Sequence, residues 1–148
     1  ELTDGRLLAA CWAFQERSGE SLPTPYTISS GGQTFSDARP TGLHGQTAKL
    51  ICLRDGRVVC VYRRHDRPGL WVNLSKIEDQ AWINIAELCL WRGATSGMTG
   101  TNTPGEELSA LKFGYPSLVQ LPCGDVLIVF WCSENCINNI RWLRVRIE

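Results

Sequence analysis

Three stretches of this chain are near copies of one another: Leu2–Ala10 (Leu-Thr-Asp-Gly-Arg-Leu-Leu-Ala-Ala), Leu53–Val61 (Leu-Arg-Asp-Gly-Arg-Val-Val-Cys-Val) and Leu121–Val129 (Leu-Pro-Cys-Gly-Asp-Val-Leu-Ile-Val). In each, a tight Asp-Gly-type turn feeds an apolar strand that ends on aromatic residues: Trp12 and Phe14, Tyr62, or Phe130 and Trp131. Repeats this small cannot bury their own apolar faces and must stack on neighbours. The chain is therefore expected to be an array of small sheets.

The strands after the turns are almost wholly apolar, which predicts strands covered on both faces. A second strand of mixed character follows each: Pro25–Ser29, Leu70–Ser75 and Ile140–Ile147. The first two run into a polar turn and an aromatic residue, Ser29 to Phe35 and Ser75 to Trp82. A further short strand, Ala48–Leu53 or Ser117–Leu121, precedes the second and third Asp-Gly-type turns. Inner strand, turn, middle strand, loop, third strand, polar turn and outer strand make a four-stranded antiparallel meander, the blade of a propeller.

The spacing from Gly5 to Gly56 and from Phe35 to Trp82 is close to the roughly 40–50 residues of known blades. From Gly56 to Gly124 it is longer, because Gly93–Leu108 is polar and rich in glycine, which predicts a long loop. Blade-like repeats are expected at about 1–42, 43–93 and 113–148, with the loop at 94–112. No amphipathic helix is expected. The first repeat lacks an inner strand except Glu1-Leu2-Thr3, and the third lacks an outer one. So short an arc leaves two apolar faces uncovered, each of the kind that marks an association site. Three blades from each of two identical chains, related by a two-fold axis, would complete six, within the four to eight of closed propellers. A homodimer is the expected partner state, with strand exchange as a variant.

Bulk properties narrow the function classes. The 148 residues carry 15 basic and 15 acidic side chains, a balance that points to neither nucleic acid nor an anionic membrane surface. No apolar run approaches a membrane span, and no charged-then-apolar leader opens the sequence. Of the seven cysteines, Cys11, Cys52 and Cys60 fall in apolar strands, where a thiol acts as a small hydrophobe. Cys132 and Cys136 have no second pair at zinc-ligand spacing. The odd count favours reduced thiols and a cytoplasmic setting. No metal or cofactor is expected.

Two degenerate copies of one turn motif carry a family resemblance. Ser75…Trp82 keeps the first Ser and the Trp of the pattern Ser-x-Asp-x-Gly-x-Thr-Trp but has Ile77 for the Asp and Asp79 for the Gly. The earlier copy keeps Gly32, Thr34 and an aromatic Phe35, with Ser30 at the Asp and Ile28 at the first Ser. Together with Phe113-Gly114-Tyr115-Pro116-Ser117-Leu118-Val119-Gln120-Leu121-Pro122, they make the chain resemble the C-terminal half of the sialidase (neuraminidase) superfamily, six-bladed propellers built on Asp-box repeats. The resemblance implies an all-β propeller segment of about three blades, and a site near the ring axis.

Sialidases use a tyrosine nucleophile, an exception among glycosidases. The resemblance places Tyr115, in Tyr-Pro-Ser-Leu, at that position. It places Arg63 and Arg64 at an arginine position, where a guanidinium fork would hold a carboxylate; Arg67 belongs to the same cluster. The family's glutamate is missing, since the corresponding stretch reads Gly45-Gln46-Thr47-Ala48. An unassisted phenol is a poor nucleophile, so the leading expectation is non-catalytic: a dimeric propeller segment that binds a carbohydrate or small anion. His44 and Gln46 would border the axial pocket, Glu16 and Arg17 its mouth, and Trp71 could stack on a sugar ring. His65 is the other histidine. The remaining tryptophans are expected to pack between blades. The alternatives are a glycoside hydrolase whose site is rebuilt across the dimer around Tyr115 with Arg63 or Arg64, and a protein-interaction scaffold.

Overall fold

The computed structural model of the chain describes residues 1–64, 66–67, 69–92 and 112–148. They form β-strands in four antiparallel sheets, and no helix occurs among them. The first sheet joins β1 (Leu7–Ala10), β4 (Pro25–Ser29) and β5 (Arg39–Pro40), while β2 (Ala13–Phe14) and β3 (Ser21–Leu22) make a small hairpin of their own. The middle sheet is the expected four-stranded meander, β6 (Gly45–Cys52), β7 (Val58–Arg64), β8 (Gly69–Glu78) and β9 (Ala81–Trp91), paired in sequence order. The last sheet holds β10 (Phe113–Gln120), β11 (Val126–Glu134) and β12 (Ile137–Val145). The long loop expected at 94–112 lies, except for Lys112, outside the described residues, as does His65.

The sequence repeat reappears as one hydrogen-bonded turn made three times. The amide of Leu2 donates to the Arg6 carbonyl at 2.7 Å, that of Leu53 to Arg57 at 2.7 Å and that of Leu121 to Asp125 at 2.7 Å. Inside each turn, the amide of Gly5, Gly56 or Gly124 closes onto the leading leucine at 2.9–3.0 Å. These glycines have φ of 84°, 86° and 97°, a region other residues reach only with strain. In the first two turns the Asp side chain braces the Arg two residues on. Asp4 accepts from the Arg6 amide at 3.0 Å and its Nε at 2.7 Å; Asp55 accepts from Arg57 at 3.0 and 2.8 Å. The Arg6 amide holds the Asp4 carboxyl below its usual range, and the Arg57 guanidinium does the same for Asp55.

Burial differs from sheet to sheet. Every residue of β7 is buried, so this strand is covered on both faces as expected. The matching strands β1 and β11 alternate instead, because each belongs to a sheet with one uncovered face. One face of the middle sheet and one of the last sheet share a core of Val59, Val61, Leu70, Val72, Phe113, Val126, Ile128 and Phe130. Each such side chain contributes about 1.5–3 kcal/mol by leaving water. Across the middle sheet, Tyr26 of β4 packs on Trp82, with ring centres 5.6 Å apart, and its hydroxyl donates to the Gln80 carbonyl at 2.8 Å.

Several local expectations are corrected. The turn after β8 is two residues, Asp79-Gln80, with φ of 46° and 68°, so the strands run through most of the Ser75–Trp82 stretch. Positive φ at both central positions suits the right-handed twist of a hairpin. Cys11 lies just beyond β1 and is exposed; Cys60 is buried and Cys52 half-buried, and all seven cysteines are free thiols. Burial pushes the Cys60 thiol up to about 12. Trp142 is 67% exposed, not packed between sheets.

Candidate functional site

Period-two alternation along β7 sends neighbouring side chains to opposite faces, so Arg63 and Arg64 serve two different clusters. Arg63 is 2% exposed and projects into the seam between the middle and last sheets. Its Nη1 donates to the Phe113 carbonyl at 3.3 Å. A Cβ on Gly114 would stand 2.7 Å from that Nη1, so a larger residue there would push the guanidinium from its place under β10. Gln46, buried on β6, is the register partner of Arg63.

Above this cluster both inner strands bulge. In β6 the pairing with β7 shifts between Gln46 and Lys49; in β10 the pairing with β11 shifts between Gly114 and Ser117. Each bulge holds a non-glycine residue at positive φ, Thr47 at 54° and Tyr115 at 45°. For β-branched and bulky side chains such values are strained. The Thr47 hydroxyl is buried without a hydrogen-bond partner among the described residues. Tyr115 is 65% exposed. The strands β6 and β10 lie beside one another, which brings Gln46, Thr47, Arg63, Gly114 and Tyr115 to one rim.

Arg64 lies on the opposite face. Its guanidinium grips Asp66 with both arms, at 2.5 and 2.9 Å, and also donates to Glu87. The hydrogen bonds to Asp66 raise its pKa. Glu87 also accepts from the Tyr62 hydroxyl, which burial and that carboxylate push well above the usual phenol range. Arg64 stacks 5.0 Å from the centre of the Trp71 ring; Arg67 and Arg92 approach the same ring at 5.9 and 5.8 Å. Trp71 is buried, and its Nε1 donates to the Arg67 carbonyl at 3.0 Å. It is therefore packed under cations, not offered to a sugar face.

The structure thus unites Tyr115, Arg63 and Gln46, and separately Arg64, Arg67 and Trp71. His44 is exposed immediately before β6. Glu16 and Arg17 are exposed at the tip of the β2–β3 hairpin. Glu87 was not foreseen, because its role depends on β8–β9 register and not on any local motif. Among the described residues no group of three or more His, Cys, Asp or Glu side chains is placed to hold a metal ion.

No protein-family model and no curated protein matches the chain. Among solved structures, it is similar over 99% of its length to a protein of unknown function from Dyadobacter fermentans, with a TM-score of 0.65 and 22% identity. It is also similar over 99% of its length to a glycosyl hydrolase from Bacteroides ovatus, with a TM-score of 0.52 and 14% identity. The chain spans 36% of the first of these proteins and 47% of the second. At these identities the likeness concerns the fold alone: an all-β arrangement of antiparallel sheets, shared in part with a glycosyl hydrolase.

Proposed function

We propose that this chain is a non-catalytic segment of a sialidase-like β-propeller that holds a carbohydrate or small anion at the rim where β6 and β10 bulge. The middle and last sheets are then successive blades and the first sheet a reduced one. The observation that carries this reading is the matched pair of bulges at Thr47 and Tyr115. Strain repeated at equivalent places on neighbouring strands is of the kind found at ligand sites. Each bulge takes residues out of the ladder, and Tyr115 adds an exposed phenol for stacking on a sugar ring. Arg63 lies under the rim and favours an anionic group.

Hydrolysis is disfavoured by the same geometry. Arg64 is engaged by two carboxylates on the far face, and Arg63 is held beneath the backbone of β10. Among the described residues, no carboxylate is hydrogen-bonded to the Tyr115 hydroxyl. A titration with N-acetylneuraminic acid followed by amide NMR tests the reading. Shifts confined to Gln46, Thr47, Gly114 and Tyr115, weakened several-fold in Tyr115→Ala, are expected, with no turnover of a fluorogenic sialoside. Absence of any shift at millimolar sugar would remove the ligand site. Turnover that disappears in Tyr115→Phe would establish the hydrolase alternative instead.

A further inference from the structure

The far face of the middle sheet holds a second cleft, built from residues between Gly42 and Glu87. Its volume is about 340 Å³, within the range of small-molecule sites. Arg64 of β7, Asn73 of β8, and Asn84, Ile85 and Glu87 of β9 line it, together with Leu43 from the segment before β6. Arg63 and Gln46, which lie under the bulged rim, belong to the other face of the sheet. The cleft and the rim are therefore separate places.

Most of the hydrogen-bonding capacity in the cleft is used within the protein. Arg64 gives its guanidinium to Asp66 and Glu87. The Asn84 amide donates to the Thr41 carbonyl at 2.8 Å and accepts from the Trp82 ring nitrogen at 2.8 Å. Asn73 differs. Its Oδ1 accepts from the Ser75 hydroxyl, but its NH2 group makes no hydrogen bond among the described residues, although the residue is only 2% exposed. Leaving a buried amide half-satisfied is costly, and this one lines the cleft. The strand register sets it directly opposite Glu87. That carboxylate accepts from Tyr62 and Arg64 and has acceptor sites to spare, since a carboxylate offers about four.

Charge and polarity select the ligand. Asp66 and Glu87 outnumber Arg64, so the local sum is negative and repels an anion. The Asn73 NH2 group is a donor and turns away an ammonium. A hydroxyl on a neutral ligand suits both groups, because its oxygen accepts while its proton is donated. Ile85, which is 48% exposed, adds apolar surface for the C–H face of a ring. We infer that this cleft is a binding site for a neutral sugar, with one hydroxyl accepting from Asn73 Nδ2 and donating to Glu87. The inference goes beyond the rim site and does not rest on it.

Amide NMR titrations with glucose, galactose and mannose, each also as its methyl glycoside, test it. At millimolar concentration at least one of them should shift Leu43, Asn73, Asn84, Ile85 and Glu87. A response to the glycoside as well as the free sugar would extend the site to glycan termini; a response to the free sugar alone would confine it to monosaccharides. Either supports the inference. Asn73→Asp replaces the donor by a second carboxylate beside Glu87 and should weaken binding roughly tenfold or more. Ile85→Trp, at an exposed position, should fill the cleft and abolish binding. Tyr115→Ala should leave these shifts unchanged whatever it does at the rim, so the two sites fail separately. The inference is overturned if no neutral sugar shifts these amides. It is overturned equally if inorganic phosphate or N-acetylneuraminic acid shifts them instead, or if binding survives both Asn73→Asp and Ile85→Trp.

Discussion

Arg63 and Arg64 are adjacent in the chain, yet one lies under β10 and the other over Trp71, held by Asp66 and Glu87. Adjacency in the sequence sets both in one cluster with Arg67, whereas strand alternation sends them to opposite faces. The partner of Arg64 was not legible in the sequence either: Glu87 stands 23 residues away, on a strand whose register with β8 shifts twice. The same carboxylate fixes Tyr62 as a neutral donor. Because its folded pKa is raised above the 10.0 of a free phenol, the folded chain keeps a proton that the unfolded chain loses. Stability from this residue is intact below about pH 10 and declines as pH rises above it, by up to about 1.4 kcal/mol per pH unit. Tyr62→Phe should flatten the loss of urea stability between pH 10 and 12. Unchanged steepness would mean that Tyr62 ionises normally in the native state.

Among the elements, the turns were readable and the bulges were not. A turn depends on residues within four positions of one another, and Leu-x-x-Gly repeats three times. A bulge depends on how two strands meet, and Gln46-Thr47-Ala48 shares no residue type with Gly114-Tyr115-Pro116. The stretch from Ser75 to Trp82 reads as a polar turn in the sequence, whereas all but Asp79 and Gln80 pair in the β8–β9 hairpin. Strain at the β6 bulge has a measurable size. Replacing Thr47 by Gly removes a β-branched residue from positive φ and deletes a buried hydroxyl that has no partner among the described residues. Thr47→Gly should therefore raise stability by about 1 kcal/mol, seen as a higher urea midpoint at constant slope. A lower midpoint would show that the packing of the Thr47 methyl outweighs the strain.

At the scale of the whole molecule, the sequence foretold stacked antiparallel sheets but overstated how evenly they are covered. Apolar runs after all three turns suggested strands buried on both sides; only β7 is. An apolar face in the sequence records what a surface needs, not whether the chain itself supplies it, and Trp142 is the clearest case. Protection against hydrogen exchange should follow this gradient. Amides of β7 should exchange slowest, and those of β12 and β5 roughly a hundredfold faster or more. Uniform protection across the sheets would mean that the stack unfolds as one unit.

The third turn departs from the other two in a way that bears on how the chain is made. In the first two, the bracing Asp and Arg lie two residues apart, so each turn can close as soon as it is synthesised. In the third, Cys123 replaces the Asp, and the acid moves to Asp125, which is held by Arg144 of β12, 19 residues later. The first two turns can therefore carry their side-chain braces while translation continues. The last closes its backbone bonds locally too, but its acid gains its arginine only after β12 emerges.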